Sequence, residues 1–158
     1  WQVLGLIYIA VPCFSLIFIR SVDRGADIIL WLFLVIWATD ICALLVGKTI
    51  GGPKLAPTIS PKKTWSGAIG GVLSAMLIGL ICSVMFKESA LFFIVFSGII
   101  SVVGQIGDLI ESKFKRNFNV KDSGDIIPGH GGVLDRVDGL TLTAPIIAIL
   151  VLLTSSIF

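Results

Sequence analysis

Five apolar runs divide the chain, at residues 1–19, 28–47, 67–86, 90–107 and 139–158. Each is near the roughly 17–25 residues that a helix needs to cross a bilayer. Gly, Ser and Thr scattered within the runs suit helices packed closely in lipid. The pattern predicts an all-α polytopic membrane bundle of five transmembrane helices, forming a single integral-membrane domain over residues 1–158. The 90–107 run is the most diluted, by Gly98, Ser101, Gly104 and Gln105.

Composition agrees. Hydrophobic residues make up 56% of the chain and charged residues only 14%, against about 25% charged in a soluble domain. Mean hydropathy is +1.03. A soluble core of buried helices would lack the polar surface to cover it. The chain begins at Trp1 and shows no basic stretch leading to a small-residue cleavage site. It is expected to be the C-terminal part of a longer protein.

The net charge of +2 suggests no nucleic-acid partner. Its placement is more informative. Residues 48–66 carry Lys48, Lys54, Lys62 and Lys63 and no acid, while residues 108–138 carry Lys113, Lys115, Arg116, Lys121 and Arg136. With five spans these two segments fall on the same side, and the positive-inside rule makes that side cytoplasmic. The opposite side receives residues 20–27, where charges cancel, and the Lys87-Glu88 turn. Cys13, Cys42 and Cys82 lie in apolar runs at scattered spacing. They read as small buried hydrophobes, with no disulfide or zinc pattern.

Candidate chemistry gathers in the two cytoplasmic segments. In residues 48–66, Pro53, Pro57 and Pro61 exclude a continuous helix. Gly51 and Gly52 permit backbone shapes closed to other residues. Thr64 or Ser66 is placed to cap the next helix, which puts Lys62 and Lys63 just before a helix N-terminus, where an anion is also favoured. Phosphate binding and anchoring to anionic headgroups are equally open for these lysines.

Residues 108–138 hold the one histidine, His130, and five of the eight aspartates: Asp108, Asp122, Asp125, Asp135 and Asp138. Helices four and five leave and re-enter on one side, so Asp108 can meet Asp135 and Asp138. Three converging carboxylates repel one another unless a cation joins them, and an oxygen-only ligand set favours Mg²⁺ over zinc. Salt bridges to Arg136, Arg116 and Lys121 are the competing account. Asp40 lies inside the second run, where an ionised group costs about 2.5–3.5 kcal/mol on insertion scales. It should face the bundle interior or a wet cavity beside a polar or cationic partner. His130, flanked by glycines, leaves phosphate contact, proton transfer and a structural hydrogen bond all open. Asp125 and Glu111 read as ordinary solvated charges.

These residues carry a resemblance. Ser112, Lys115 and Arg116, then Lys121, Asp122 and Gly124, then Ile127 to Gly132 around His130, then Asp135, Arg136 and Asp138 resemble the signature of the phosphatidate cytidylyltransferases, or CDP-diacylglycerol synthases. Ser60, Lys62, Lys63, Thr64 and Trp65, with Gly67, Gly70 and Gly71, resemble the family's second hallmark. Asp40 before Gly47-Lys48, and Gln105 to Asp108, fit as well. The likeness covers about residues 35–140. Ser66 departs from the family's glutamate.

The resemblance implies transfer of CMP from CTP to phosphatidic acid, with pyrophosphate released, in phospholipid biosynthesis. It implies Mg²⁺ dependence with room for a second cation, a bacterial inner-membrane location and a homodimer. On this reading Asp108, Asp135 and Asp138 bind metal. Lys62, Lys63, Lys121 and Arg136 hold the phosphates of CTP or the leaving pyrophosphate. Lys115 and Arg116 meet the lipid phosphate. Ser60, Thr64, Asp122 and Asp40 complete the substrate site, and His130 joins the catalytic group.

Two other enzyme classes and one non-enzyme class compete. A CDP-alcohol phosphatidyltransferase would need Ala-Arg within the motif that begins Asp138-Gly139, and the chain lacks it there. A CTP-dependent lipid kinase would release CDP instead of pyrophosphate. A cation channel with carboxylates at its mouth would pass ions without nucleotide.

Overall fold

The computed structural model describes residues 2–117 and 134–153. Within them are five helices and one hairpin: α1 Gln2–Ser21, α2 Gly25–Thr49, β1 Lys54–Ala56, β2 Ser60–Thr64, α3 Trp65–Phe86, α4 Ala90–Asn117 and α5 Leu134–Leu153. The helices match the five apolar runs, and the fold is all-α and polytopic. α2, α3 and α4 are each long and apolar enough to cross a membrane. The described apolar stretches of α1 and α5 are shorter, Gly5–Ser21 and Asp138–Leu153. The diluted fourth run belongs to the longest helix, of 28 residues. Its small and polar residues do not interrupt it, because Ser97, Ser101 and Gly104 lie on the face that α4 buries.

The core follows from the helical period. Ile28, Trp31, Leu32, Val35, Ile36 and Thr39 form one buried stripe on α2. They pack with Phe93 and Ile100 of α4, Ala75 and Cys82 of α3, and Leu140, Ala144 and Ile147 of α5. About a third of each long span is buried. The other faces present Trp37, Ile41, Leu73 and Leu77 outward, as helices in contact with lipid do. α3 packs between α2 and α4 through Gly67, Gly71, Ala75 and Gly79. A Cβ on Gly79 would come within 2.5 Å of the Phe93 carbonyl oxygen, so α3 lies closer to α4 than any larger side chain allows.

Polar groups inside the bundle are paired. The Trp31 indole donates to Ser97 Oγ at 2.8 Å and Thr39 donates to Ser101 Oγ at 2.9 Å. Gln105 Nε2 donates to Ser101 Oγ and to the Ala68 carbonyl, both at 3.3 Å. No buried side-chain polar atom among the described residues lacks a partner.

The two ends of the bundle differ in character. At one end Arg24 binds Asp27 at 3.2 Å, Glu88, and the Phe86 carbonyl at 2.9 Å, tying the α1–α2 turn to the α3–α4 turn. This is the side to which the sequence assigns balanced charge. At the other end are the hairpin, the C-termini of α2 and α4 and the start of α5. The hairpin is an addition to the sequence reading, which only excludes helix there. α4 also runs on through Asn117, so residues 108–117 are helical.

Candidate active site

The hairpin delivers its cation by strand geometry. Gly51 and Gly52, at φ of 67° and 106°, turn the chain out of α2. β1 and β2 then pair antiparallel, with Lys54 opposite Thr64. Successive strand residues point to opposite faces. Lys63 turns inward and pairs with the Asp108 carboxylate of α4, while Lys62 is exposed and makes no ion pair with a described residue. The two lysines treated together in the sequence are therefore separated. The Lys63–Asp108 pair also places residues 48–66 and the end of α4 at the same end of the bundle, as the charge pattern requires.

Thr64 is the N-cap of α3, its Oγ1 accepting from Gly67 N–H at 3.2 Å. It is 4% exposed, so its hydroxyl shapes the hairpin–helix junction. Ser66 shares a 3.1 Å contact with Thr64 and donates to the Gly51 carbonyl, which closes the loop on itself. α2 and α3 nearly touch here: a Cβ on Gly67 would lie 2.5 Å from the Ala43 carbonyl oxygen. Ser60 opens β2 and is half-buried.

Three carboxylates approach Lys63. Asp108 Oδ1 also accepts from Ser112 Oγ at 3.3 Å. Asp138 lies in α5 and is half-buried, with Oδ1 accepting from Gly139 N–H at 2.7 Å. Gly107 of α4 lies against the start of α5, where a Cβ would meet the Asp138 carbonyl oxygen and Leu142 in ordinary contact at 3.5 Å. Asp40 of α2 lies within electrostatic reach of Asp108, Asp138 and Lys63. Asp40 is exposed and makes no hydrogen bond or ion pair with a described residue. Of the two settings expected for it, the wet one fits this exposure, and Lys63 is the cation within reach.

No three potential ligands stand at metal-binding spacing among the described residues. Asp135 and Arg136 belong to the first turn of α5, and the helix includes both Asp135 and Asp138. The side chains of Asp135 and Arg136 lie outside the described residues, as do Lys121, Asp122, Asp125 and His130 altogether. The donors at hand fit a hard divalent cation in kind. They are all carboxylate oxygens, and neither Asp40 nor one oxygen of Asp138 takes a hydrogen bond from a described residue.

Lys115 and Arg116 sit in the last turn of α4. Arg116 is exposed. Lys115 pairs at 3.2 Å with Glu111, which is 4% exposed. Glu111 is therefore not the solvated charge that its place in a mixed-charge stretch suggests. Tyr8 of α1 and Thr141 of α5 join it through hydrogen bonds. The sequence offers one hint of this: Tyr8 is the only tyrosine of the chain, set in an otherwise greasy run.

The arrangement is a cation-bearing hairpin laid against carboxylates from three helices, at one end of an apolar bundle. A sequence model of the cytidylyltransferase family matches residues 1–154. The chain belongs to the cytidylyltransferase family. It is 46% identical over 155 residues to a phosphatidate cytidylyltransferase of Rickettsia bellii (strain RML369-C), covering 93% of this chain and 67% of that protein. It is 48% identical over 149 residues to one of Brucella suis biovar 1 (strain 1330), covering 93% of this chain and 55% of that protein. A third, from Rickettsia prowazekii (strain Madrid E), is 43% identical over 154 residues, covering 92% of this chain and 68% of that protein. In this cytidylyltransferase the matched region takes in every described side chain at the charged end.

Proposed function

We propose that this chain carries the transfer of CMP from CTP to phosphatidate, giving CDP-diacylglycerol and pyrophosphate in phospholipid synthesis. The observation that carries the reading is the Lys63–Asp108 pair, with Asp138 and Asp40 in electrostatic reach, at the end of a membrane bundle. A phosphate oxygen of phosphatidate attacks the α-phosphorus of CTP. The bond from that phosphorus to the β-phosphate oxygen breaks, and pyrophosphate leaves. Phosphatidate is already an anionic nucleophile, so no strong general base is needed. The work lies in bringing two anions together in line and stabilising the charge between them.

Lys63 is the best placed group for the triphosphate, because it already stands among carboxylates and needs only to change partner. Lys62, Lys121 and Arg136 would supply further positive charge for the phosphates. Arg116, exposed on the last turn of α4 and in no ion pair with a described residue, suits the lipid phosphate better than Lys115, which pairs with Glu111. Asp108 and Asp138, with Asp135 as third ligand, would hold Mg²⁺, and a second cation is compatible with Asp40 alongside. The bound cation would supply charge neutralisation for the triphosphate and the leaving pyrophosphate. The diacyl tails stay in lipid, so the site opens sideways to the bilayer. The positive charge of residues 48–66 supports a cytoplasmic site, and membership of the family supports a bacterial inner-membrane location and a homodimeric working unit.

The test is the full-length protein in detergent with labelled CTP and phosphatidate, with and without Mg²⁺. Labelled CDP-diacylglycerol and pyrophosphate in equal amounts, only with Mg²⁺, are expected. Release of CDP would make the protein a lipid kinase. Ion flux with no nucleotide turnover would make it a channel.

A further inference from the structure

A carboxylate is rarely buried unless it is paired, and Glu111 is buried at the edge of the charged end. It follows Asp108 by one turn of α4. Among its partners are Lys115 Nζ at 3.2 Å and the Tyr8 hydroxyl at 3.4 Å. The Tyr8 oxygen lies 3.1 Å from Thr141 Oγ1, and Thr141 is also 2.7 Å from the Asp138 carbonyl oxygen. Tyr8 has one proton to give. Thr141 donates its own proton to the Asp138 carbonyl, so the Tyr8 proton lies between Thr141 Oγ1 at 3.1 Å and Glu111 at 3.4 Å. A polar chain thus runs from α4 through α1 into α5, three residues past Asp138. Tyr8 comes from 103 residues away in sequence and Thr141 from a further 30 beyond Glu111.

Gly104 and Gly107 of α4 face the backbone of Gly139 and Asp138 and the side chains of Thr143 and Leu142 of α5, contacts that carry no direction of their own. Tyr8 is half-buried, and its hydroxyl meets side chains of both α4 and α5. We infer that Tyr8, Glu111 and Thr141 are positioning residues that dock the start of α5 on α4 and so hold Asp138 facing Asp108. The inference rests on the CMP-transfer reading. None of the three touches a reacting group.

The experiment uses the full-length protein in detergent. Tyr8→Phe keeps the ring and removes the hydroxyl. Thr141→Val keeps the shape and removes the hydroxyl, while Thr141→Ser restores it. Amide hydrogen exchange is followed by peptide alongside steady-state kinetics. Tyr8→Phe and Thr141→Val should speed exchange over residues 138–142 and leave α2 and α3 as in the wild type. They should lower kcat by about 10-fold while the KM for CTP stays within about two-fold, since a misplacement of about 1 Å costs rate rather than ground-state binding. Thr141→Ser should recover both readouts. Wild-type exchange over 138–142 in both variants would overturn the inference. So would faster exchange throughout the bundle with kcat intact, which marks a merely structural network. A wild-type protein that makes no CDP-diacylglycerol would overturn the CMP-transfer reading instead, and the exchange data would still decide whether the network docks α5.

Discussion

Replacing Lys63 by Met removes one charge and keeps most of the side chain's length. It should move two properties in opposite directions. Lys63 and Asp108 have side chains 28% and 31% exposed, so their pair is neither a surface pair nor a buried one. At an effective dielectric of 20, unit charges 4 Å apart attract by about 4 kcal/mol, while fully exposed pairs net about 0–1 kcal/mol. Discounting for the remaining water leaves roughly 1–2 kcal/mol, or about tenfold in a binding constant. Without nucleotide, Lys63 competes with any divalent cation for Asp108. Lys63→Met should therefore tighten Mn²⁺ binding by about tenfold, measured by electron paramagnetic resonance on the full-length protein. With nucleotide, the same lysine is lost to the triphosphate, so the KM for CTP should rise by about tenfold or more. Mn²⁺ affinity that is unchanged or weaker would refute the competition. An unchanged KM together with an unchanged kcat would remove Lys63 from the site.

Asp135→Asn should abolish Mg²⁺-dependent turnover while the protein still inserts and melts as the wild type; near-normal turnover would count against a metal role. Gly67→Ala should lower the melting temperature, because its Cβ would lie 2.5 Å from the Ala43 carbonyl oxygen and relieving such overpacking costs about 1–3 kcal/mol. Thermal unfolding in detergent measures that loss. Arg24→Ala, at the far end of the bundle, should leave turnover per folded molecule unchanged and reduce stability by at most about 1 kcal/mol. A large loss of turnover would mean that the two ends are coupled.

The bundle was legible because lipid demands long apolar runs, and these survive in the sequence without ambiguity. The common end of residues 48–66 and the end of α4 was legible from charge alone, and the Lys63–Asp108 pair realises it. Thr64 read correctly as a candidate cap because capping is local. The hairpin was hidden, since its prolines and lysines show no alternation of apolar and polar residues. For the same reason the opposite facing of Lys62 and Lys63 could not be read before the strand was known. Glu111 misled for a different reason. With Lys115 four residues on, it looks like one half of a solvated helix pair. Its burial depends on Tyr8, which helix packing alone brings to it. The side chains that the family signature emphasises most, around His130, lie outside the described residues.

The hydrogen bonds between α2 and α4 have a consequence for the charges toward the hairpin end of the bundle. A helix sliding along its neighbour in lipid exchanges one apolar contact for another, with little to choose between heights. Trp31 to Ser97 and Thr39 to Ser101 admit no such exchange. A shift of one turn, about 5.4 Å, would strand the Trp31 indole N–H in hydrocarbon, while Thr39 would keep only its bond to the Val35 carbonyl of its own helix. The vertical offset between Asp40 on one helix and Asp108 on the other is thereby fixed by uncharged groups. Whatever the carboxylates hold, the depth at which they hold it is set in the dry middle of the bundle.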